Sequence, residues 1–349
     1  MAHDRRKADH IRINLEENVQ FPSLTNGFGC YRLTHQALPE LDLAEIETGV
    51  SFLGKRLHVP LLISSMTGGT EAARVLNHNL ARGAQACGAA MGLGSQRAGI
   101  EQAETADTFR VRDLAPDILL FANLGAIQLN YGYTVDQCRR VVEMIEADAL
   151  ILHLNALQEA VQPEGDTRSK GGLKAIERMS SALPVMAKET GAGMSRGVAL
   201  RLKRAGVRGI DVGGLGGTSF SAVEYYRARS AGDSTRANIG ETFWDWGVPT
   251  PVSVVLSSVG LPTVATGGVR SGLDVARAIS IGASAAGLAG RLLPAALEGE
   301  DALTAEVGTI IQELKAAMFL VGAKDIEALS AANALVTGRS REWLDNVME

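Results

Sequence analysis

Cysteine and long apolar segments are both scarce in this sequence. Three cysteines occur in 349 residues, at Cys30, Cys87 and Cys138, without the CxxC or Cys/His spacing of a zinc site. This scarcity argues against a disulfide-stabilised fold and indicates buried thiols. No segment approaches about 18 consecutive apolar residues, and residues 1–18 are dense in charge, without the apolar stretch of a secretory signal. The sequence therefore predicts a cytoplasmic protein that does not enter a membrane.

An excess of positive charge is also missing. The chain has 34 Lys and Arg residues against 39 Asp and Glu residues, and its formal net charge is −5. Such a charge provides no general attraction to nucleic acid or to a membrane surface, so any anion site must be local. Glycine, by contrast, is abundant: 39 residues against an average usage of about 7% indicate tight turns or a close approach of backbone to a ligand.

The apolar segments follow the pattern of βαβ units. Short β-forming runs, apolar on both faces, alternate with longer segments of helical periodicity. Eight such runs occur: Pro60 to Met66, Ala89 to Leu93, Ile118 to Leu124, Ala149 to Asn155, Pro184 to Glu189, Gly209 to Val212, Pro262 to Thr266 and Ala283 to Leu288. We predict an α/β fold, a (β/α)8 TIM barrel. A doubly wound open sheet is the alternative, but eight strands close a barrel and the phosphate-type loops come late in the chain.

The whole chain is predicted to form a single domain with additions to the barrel. Long insertions in compact domains are often lids, and one such insertion carries Trp244 and Trp246. The predicted parts are an N-terminal extension over 1–58, a barrel over 59–300 with an insertion or lid over 218–249, and C-terminal helices over 301–349 that pack across the barrel.

Polar and glycine-rich groups gather where the predicted strands end, which is the catalytic rim of a barrel. Gly267 and Gly268, followed by Arg270 and a helix led by Ser271, offer backbone N–H groups to a phosphate, and the Ala289 to Gly290 turn after strand eight would complete the site. The alternative is a pair of glycine turns that cap helices. The two loops together favour phosphate. No GxGxxG or GxxxxGK[ST] motif occurs in a suitable place.

Three side chains within or after apolar strands are candidates for chemistry. Lys188 needs an anionic partner inside a barrel, either Glu189 or another acid, or a ligand charge such as the edge of a reduced flavin. His153 is either a satisfied core histidine or an imidazole delivered to the rim. Glu159 suits Mg²⁺ beside phosphate oxygens, and otherwise it is a surface or helix-capping residue.

Three cations could bind a diphosphate. Arg6 and Arg97 provide bidentate contacts and Lys7 a point charge. From spacing alone, the N-terminal pair is better explained as a solvated tail.

Nine motifs in one order resemble the type 2 isopentenyl-diphosphate isomerases over nearly the whole chain. They are RKADHI (6–11), SMTGG (65–69), GLGSQR (92–97), ANLG (122–125), HLNALQE (153–159), KE (188–189), GGTS (216–219), DWGVPT (245–250) and ATGGVR (265–270). A generic flavin barrel would share the ATGG-type loop and little else. One departure is Phe220, which stands where we expect some members to carry Trp.

The resemblance implies an isomerase that uses FMN, NADPH as reductant, Mg²⁺ and a prenyl diphosphate substrate, with four or eight identical chains. It makes the N-terminal cations a substrate clamp. The implied FMN residues are Ser65, Met66, Thr67, Gly68, Ser95, Asn123, Lys188, Thr218, Gly267, Gly268, Arg270, Ala289 and Gly290. The implied substrate contacts are Arg6, Lys7, Ser95, Gln96, Arg97, His153, Asn155 and Gln158, with Glu159 as the Mg²⁺ ligand.

The expected reaction moves a double bond from C3=C4 to C2=C3, with reduced FMN as acid and base at N5. Lys188 would stabilise negative charge on the flavin, while His153 and Gln158 would position the substrate or relay a proton. One alternative is an FMN-dependent 2-hydroxy-acid oxidoreductase, but that chemistry requires a late histidine and no His follows His153. Another is a non-catalytic barrel that binds a phosphate ligand.

Overall fold

The computed structural model describes residues 2–347, with side chains described from Asp9 onward. The N-terminal part contains a helix, α1 (Ala2–Glu16), and three short strands, β1 (Tyr31–Leu33), β2 (Val50–Phe52) and β3 (Lys55–Leu57). Strands β2 and β3 form an antiparallel hairpin.

Eight parallel strands then form a closed barrel. They are β4 (Leu61–Ile63), β5 (Ala90–Gly92), β6 (Leu120–Gly125), β7 (Ala149–Leu154), β8 (Val185–Glu189), β9 (Gly209–Asp211), β10 (Thr263–Ala265) and β11 (Ala285–Leu288). Each strand pairs with its neighbour in sequence, and β11 pairs with β4 to close the ring. The predicted (β/α)8 fold is therefore confirmed. Each strand lies inside its predicted run, except that β6 extends one residue further, to Gly125.

Helices surround this barrel. They are α2 (Glu71–Cys87), α3 (Arg97–Glu101), α4 (Val135–Met144), α5 (Ala156–Val161), α6 (Gly172–Ala182), α7 (Arg196–Arg204), α8 (Phe220–Ser230), α9 (Ser234–Thr242), α10 (Thr250–Ser257), α11 (Gly272–Ser280), α12 (Leu293–Glu298), α13 (Glu300–Leu320), α14 (Ile326–Ser330) and α15 (Gly338–Val347). Several begin at hydroxyl side chains that accept a backbone N–H, as Thr70 does for α2 and Ser271 for α11. In the described part of the chain, no helix is long and apolar enough to span a bilayer.

The inside of the barrel is filled by an apolar layer near its N-terminal end. Because side chains alternate along a strand, Leu62, Phe121, Ile151, Met186 and Val264 form one buried cluster, separate from the larger cluster between strands and helices. Phe52 and Leu57 of the β2–β3 hairpin belong to the same inner cluster. The hairpin therefore closes the N-terminal end of the barrel.

The predicted insertion over 218–249 contains α8 and α9, which pack together and against the N-terminal extension. Ile13 of α1 is buried in a cluster with Val19, Ala222 and Val223. At the other end of the chain, a strand β12 (Ala334–Val336) pairs with β1. This pairing was not predicted from the sequence.

Candidate active site at the C-terminal mouth of the barrel

Next to the apolar layer, toward the C-terminal ends of the strands, the barrel interior becomes polar. Two residues beyond each inward apolar position, the strands reach a ring of groups that we call the polar layer: Ser64, Gly92, Asn123, His153, Lys188, Asp211, Thr266 and Gly287. Strand register places His153 opposite Lys188 and Lys188 opposite Asp211. Six of these eight residues have polar side chains, which a packed barrel would not require, so this layer is the floor of a candidate active site.

Lys188 lies in a buried ion pair. Its Nζ donates to Oδ2 of Asp211 at 2.8 Å and to Oγ1 of Thr266 at 3.3 Å, and Asp211 is fully buried. The anionic partner of Lys188 is therefore Asp211, an acid other than the adjacent Glu189. Asp211 was missed in the sequence analysis, although its inward position follows from strand alternation along Gly209–Asp211.

Glu189 serves a different purpose at the end of β8. Its Oε2 accepts from the backbone N–H groups of Gly191 and Ala192 at 2.6 Å and from that of Gly193 at 3.0 Å. Burial raises the pKa of Glu189 to about 7, opposed by these three donors and by Lys188. The carboxyl therefore shapes the turn after β8.

His153 is held by a chain of amides. Its Nδ1 lies 2.8 Å from Oδ1 of Asn123, and because an amide oxygen only accepts, Nδ1 carries the proton. The backbone N–H of Asn123 donates to Oε1 of Gln96 at 2.9 Å. The Nε2 of Gln96 donates away from the mouth, to the carbonyl of Val141 at 3.1 Å. Gln96 is fully buried, and its amide supports Asn123; the substrate contact at Gln96 stays a prediction.

Glu159 organises the segment after α5. Its Oε1 accepts from Asn155 Nδ2 at 2.8 Å, while Oε2 accepts from Gln162 Nε2 at 2.5 Å and from the backbone N–H of Asp166 at 2.6 Å. Gln158 Oε1 also accepts from Asn155, at 3.2 Å. The predicted metal residue is thus surrounded by donors. Among the described residues, no group of three or more His, Cys, Asp or Glu side chains could hold a metal by itself.

Arg97 stands beside the same segment. Its Nε donates to Glu101 at 2.8 Å and its Nη1 to Asp166 at 3.4 Å, and Gln128 Nε2 reaches the same Asp166 oxygen at 3.4 Å. Asp166 therefore connects the loops that follow three successive strands, β5, β6 and β7. Sequence reasoning missed it, since an acid in an irregular segment carries no periodic signal.

The predicted phosphate loops contain glycines that their conformation requires. Gly267 and Gly268 have φ of +106° and +73°, and a Cβ at Gly267 would lie 1.9 Å from the carbonyl oxygen of Gly214. Arg270 donates to Gln20 at 2.5 Å and to the Gly216 carbonyl at 3.1 Å. Within residues 2–347, the backbone N–H groups of Gly268 and Gly290 have no hydrogen-bond acceptor, so both are available to a ligand.

The mouth also contains polar groups without partners. A Cβ at Gly287 would lie 2.2 Å from Thr266 Cγ2 and 2.6 Å from Ser64 Oγ, so only glycine allows these two side chains to pack against β11. The buried hydroxyls of Ser64 and Ser65 have no hydrogen-bond partner in the described part of the chain. Orphaned buried hydroxyls are uncommon without a ligand or water. These hydroxyls and the free backbone N–H groups of Gly268 and Gly290 suit the polar atoms and the phosphate of a flavin nucleotide.

The N-terminal helix α1 reaches the rim. Asn14 accepts from Thr218 Oγ1 at 2.6 Å, and His10 Nε2 lies 3.1 Å from Oε1 of the fully buried Glu224. The side chains of the predicted clamp, Arg6 and Lys7, lie outside the described residues. The helix that carries them docks beside a predicted FMN residue.

A small cleft opens next to the polar layer. Its walls are the aromatic rings of Phe21, Phe220 and Trp246 together with Leu157, Gln158, Glu189, Thr190, Gly191, Ala192 and Ser219. Trp246 is 60% exposed and stacks edge-on with Phe243. Gln158, a predicted substrate residue, therefore faces an aromatic surface.

The remaining predicted contacts lie along the same rim. Met66, Thr67 and Gly68 follow β4, and a Cβ at Gly68 would meet the Phe109 ring at 1.9 Å. Ser95 follows β5, and Ala289 follows β11. All candidate residues with described side chains, apart from the inward-turned amide of Gln96, thus lie at one end of the barrel.

The chain is similar to named proteins over nearly its whole length. The chain is 50% identical over 335 residues to a protein named isopentenyl-diphosphate delta-isomerase from Nostoc sp., with 95% of each chain covered. It is 47% identical over 348 residues to the protein of the same name from Archaeoglobus fulgidus, with 99% of each chain covered. Residues 172–336 match the FMN-dependent dehydrogenase family.

Two solved structures share the fold. A mutant flavocytochrome b2 with benzoylformate gives a TM-score of 0.64 at 18% identity, covering 93% of this chain and 78% of that one. A mandelate oxidase mutant with an FMN adduct gives 0.61 at 18% identity, covering 95% and 92%. At this identity the likeness shows the fold alone.

Proposed function

Because the chain belongs to the isopentenyl-diphosphate delta-isomerase family, we propose that it converts isopentenyl diphosphate into dimethylallyl diphosphate for isoprenoid biosynthesis. One proton is added at C4, one is removed from C2, and the double bond moves from C3=C4 to C2=C3. The observation that carries the proposal is the polar layer, which places a charged lysine and an imidazole side by side inside a closed barrel.

We assign the mouth to FMN, used in its reduced form. The residues that would hold FMN lie along the rim of the barrel. They are Ser65, Met66, Thr67, Gly68, Ser95, Asn123, Lys188, Thr218, Gly267, Gly268, Arg270, Ala289 and Gly290. Reduced FMN, when bound, supplies the acid and the base of the reaction at N5. Lys188 would place its positive charge against the negative charge of the reduced ring.

The cations of the rim would bind the diphosphate end of the substrate. Arg97 offers a planar fork to phosphate oxygens, and the clamp residues Arg6 and Lys7 would approach from α1. Glu159 would share Mg²⁺ with the diphosphate, since Mg²⁺ commonly takes only one or two carboxylates from the protein. Ser95 and Asn155 would hydrogen-bond the same end of the substrate.

The hydrocarbon end needs a dry site, because water would trap a developing tertiary cation. The aromatic cleft beside Gln158, formed in part by Phe220 and Trp246 of the 218–249 segment, provides apolar cover, and this segment is the proposed lid. His153 and Gln158 would orient the alkene or hold a transferred proton.

A direct assay tests the proposal. Purified protein is supplied with FMN, NADPH, Mg²⁺ and isopentenyl diphosphate under anaerobic conditions, and the formation of dimethylallyl diphosphate is followed. We expect turnover, and we expect it to disappear when 5-deazaFMN replaces FMN while substrate binding persists. Turnover with 5-deazaFMN would assign the proton transfers to a side chain instead.

Two outcomes separate this function from its alternatives. A 2-hydroxy-acid oxidoreductase would oxidise lactate or mandelate with an electron acceptor, and the likeness to mandelate oxidase makes these the substrates to try. A phosphate-binding barrel without catalysis would bind FMN or isopentenyl diphosphate and form no product. Measuring the molecular mass of the protein in solution, on the same preparation, tests the proposed assembly of four or eight chains.

A further inference from the structure

Asp211 is a charged residue of the polar layer to which neither the family motifs nor the proposed reaction gives a role. Its carboxylate is fully buried, and both oxygens are used. Oδ2 accepts from Lys188 Nζ at 2.8 Å; Oδ1 accepts from Thr266 Oγ1 and from the backbone N–H of Gly213, the latter at 3.3 Å. Thr266 Oγ1 accepts in turn from Lys188 Nζ at 3.3 Å and from Gly213 N–H at 3.0 Å.

These contacts form a closed set around one ammonium group. A lysine side chain has about 2 kcal/mol of rotamer entropy and would otherwise sample many positions. Two acceptors on different strands, Asp211 on β9 and Thr266 directly after β10, restrict it to one. A charge that is fixed before the ligand arrives stabilises developing charge without reorganisation.

The same contacts place an anion beside a buried ammonium group. A buried ammonium without an anion tends to lose its proton, because burial in a low-dielectric interior disfavours the charged form. The ionisable side chains that surround Lys188 are Asp211 on β9, His153 opposite it on β7, and Glu189, which follows it in β8. Glu189 is turned toward the 191–193 turn, so Asp211 is the carboxylate in direct contact.

We propose that Asp211 is a positioning residue that keeps Lys188 protonated and fixes its ammonium group in the polar layer, so that the lysine presents a permanent positive charge to bound reduced flavin. Asp211 acts through Lys188 and does not touch substrate. The inference rests on the proposed use of reduced FMN.

The test compares how tightly each variant binds reduced and oxidised FMN. The affinity for oxidised FMN is measured by fluorescence quenching, and the midpoint potential of the bound flavin then yields the ratio of the two affinities. Asp211→Asn keeps the size of the side chain but removes its charge. At pH 8 we expect the preference for reduced flavin to fall about tenfold, toward the value of Lys188→Met. Loss of one charge contact should change the binding free energy by at least as much as a shift of about one pKa unit, which corresponds to about a tenfold change in affinity.

The pH dependence separates charge from packing. Lowering the pH to 6 should return the proton to Lys188 in Asp211→Asn and restore much of the preference relative to wild type at the same pH. Lys188→Met has no proton to regain and should not recover. In the double variant, Asp211→Asn should add little to Lys188→Met, because both changes remove the same charge.

A control lies at the opposite end of the barrel. Asp148 pairs with Lys55 at the same distance, 2.8 Å, in a more exposed position, so Asp148→Asn removes a lysine–aspartate pair far from the mouth and should leave the flavin preference unchanged. If Asp211→Asn does not fold, Thr266→Val removes one hydrogen-bond partner of the same lysine and should shift the preference in the same direction by a smaller factor.

The outcomes are distinguishable from failure of the proposed function. A preference that is unchanged in Lys188→Met would remove the role of the lysine itself. A shifted preference in Lys188→Met with a wild-type preference in Asp211→Asn, or with an additive double variant, would overturn only the positioning role of Asp211.

Discussion

Glu189 shows how burial and hydrogen bonding oppose each other at a single residue. Three backbone donors stabilise its charged form, while loss of water stabilises its neutral form, and burial is the larger effect. The raised pKa makes the protonated carboxyl part of the folded state near neutral pH. Because the folded form binds its proton more tightly than the unfolded chain does, the contribution of Glu189 to stability is greatest at low pH.

Glu189→Gln should therefore change how stability depends on pH. In the wild type, the contribution of Glu189 is fully present below pH 4.5 and is lost as the pH rises through about 7, by up to about 3 kcal/mol. The variant should lack this loss, since glutamine still accepts backbone N–H groups and does not ionise. Urea denaturation of both proteins between pH 5 and 8 measures the difference. Parallel curves would contradict the raised pKa.

Two glycines, one within β11 and one after it, should respond differently to alanine. At Gly287 an added methyl meets Thr266 and Ser64 in the polar layer, whereas at Gly290 it meets nothing within 4 Å. We expect Gly287→Ala to lower stability by about 1–3 kcal/mol through overpacking and to weaken FMN binding at least tenfold. Gly290→Ala retains its backbone N–H and should bind FMN as the wild type does. Fluorescence titration and thermal unfolding report both effects, and equal affinities would argue against a flavin at this surface.

Under the proposed function, helix α1 is the element whose position matters most for substrate binding, because it carries the proposed clamp residues Arg6 and Lys7. It is attached by Ile13 in the cluster with Val19 and Val223, and by the hydrogen bond between Thr218 and Asn14. The clamp residues precede these attachments by only two turns of helix. Docking of α1 should therefore decide whether the clamp reaches the diphosphate.

Ile13→Ala should detach α1. Truncation of a buried isoleucine to alanine costs about 2–5 kcal/mol of stability. The other contacts that hold α1 are too few to compensate for this loss. We expect KM for isopentenyl diphosphate to rise about tenfold and hydrogen exchange over residues 9–16 to accelerate, while FMN affinity changes little. Leu15→Ala is the matched control on the same helix, because Leu15 is 47% exposed. An unchanged KM in Ile13→Ala would remove α1 from substrate binding.

The loop that contains Asp166 should influence substrate affinity through Arg97. Removing a partly exposed ion pair is worth about 0.2–1 kcal/mol, so Asp166→Asn should raise KM about two- to fivefold with kcat nearly constant. Steady-state kinetics measure the split. Asp136→Asn, which breaks a surface pair with Arg139 on α4, should leave both constants unchanged. A lower KM in Asp166→Asn would mean that the carboxylate competes with the diphosphate.

At the scale of the whole molecule, the barrel separates stability from chemistry along its axis. The N-terminal end is closed by apolar side chains of the β2–β3 hairpin, and the polar layer lies toward the other end. In barrels of this type the active site lies at the C-terminal rim, so side chains at the opposite end serve mainly stability.

Phe52→Ala tests this division. The ring is 2% exposed in the inner cluster, so its removal should lower the free energy of unfolding by about 3–5 kcal/mol. Wherever the protein remains folded, kcat/KM should stay within about twofold of wild type. Exposed Ser51, replaced by alanine on the same hairpin, provides the baseline. A large loss of kcat/KM under conditions in which the variant is fully folded would mean that the two ends of the barrel are coupled.

The number and the faces of the strands were determined by the sequence alone. Apolar runs of four to eight residues and the alternation of side chains are local properties, and therefore they predicted all eight barrel strands and the polar groups at their ends. Lys188 was expected to need an anion for the same local reason, since an apolar strand cannot solvate a charge. The position of Asn123 and His153 at the rim likewise follows from where their strands end.

Only the tertiary structure decided which groups meet. Asp211 is 23 positions from Lys188, Gln96 turns its amide to Val141 rather than to the mouth, and β1 pairs with a strand some 300 residues away. No local window of sequence contains these pairings, because each depends on closing the ring and on which side chains then lie within about 3 Å of one another. Periodicity assigns a residue to an element and a face; packing between elements selects its partner.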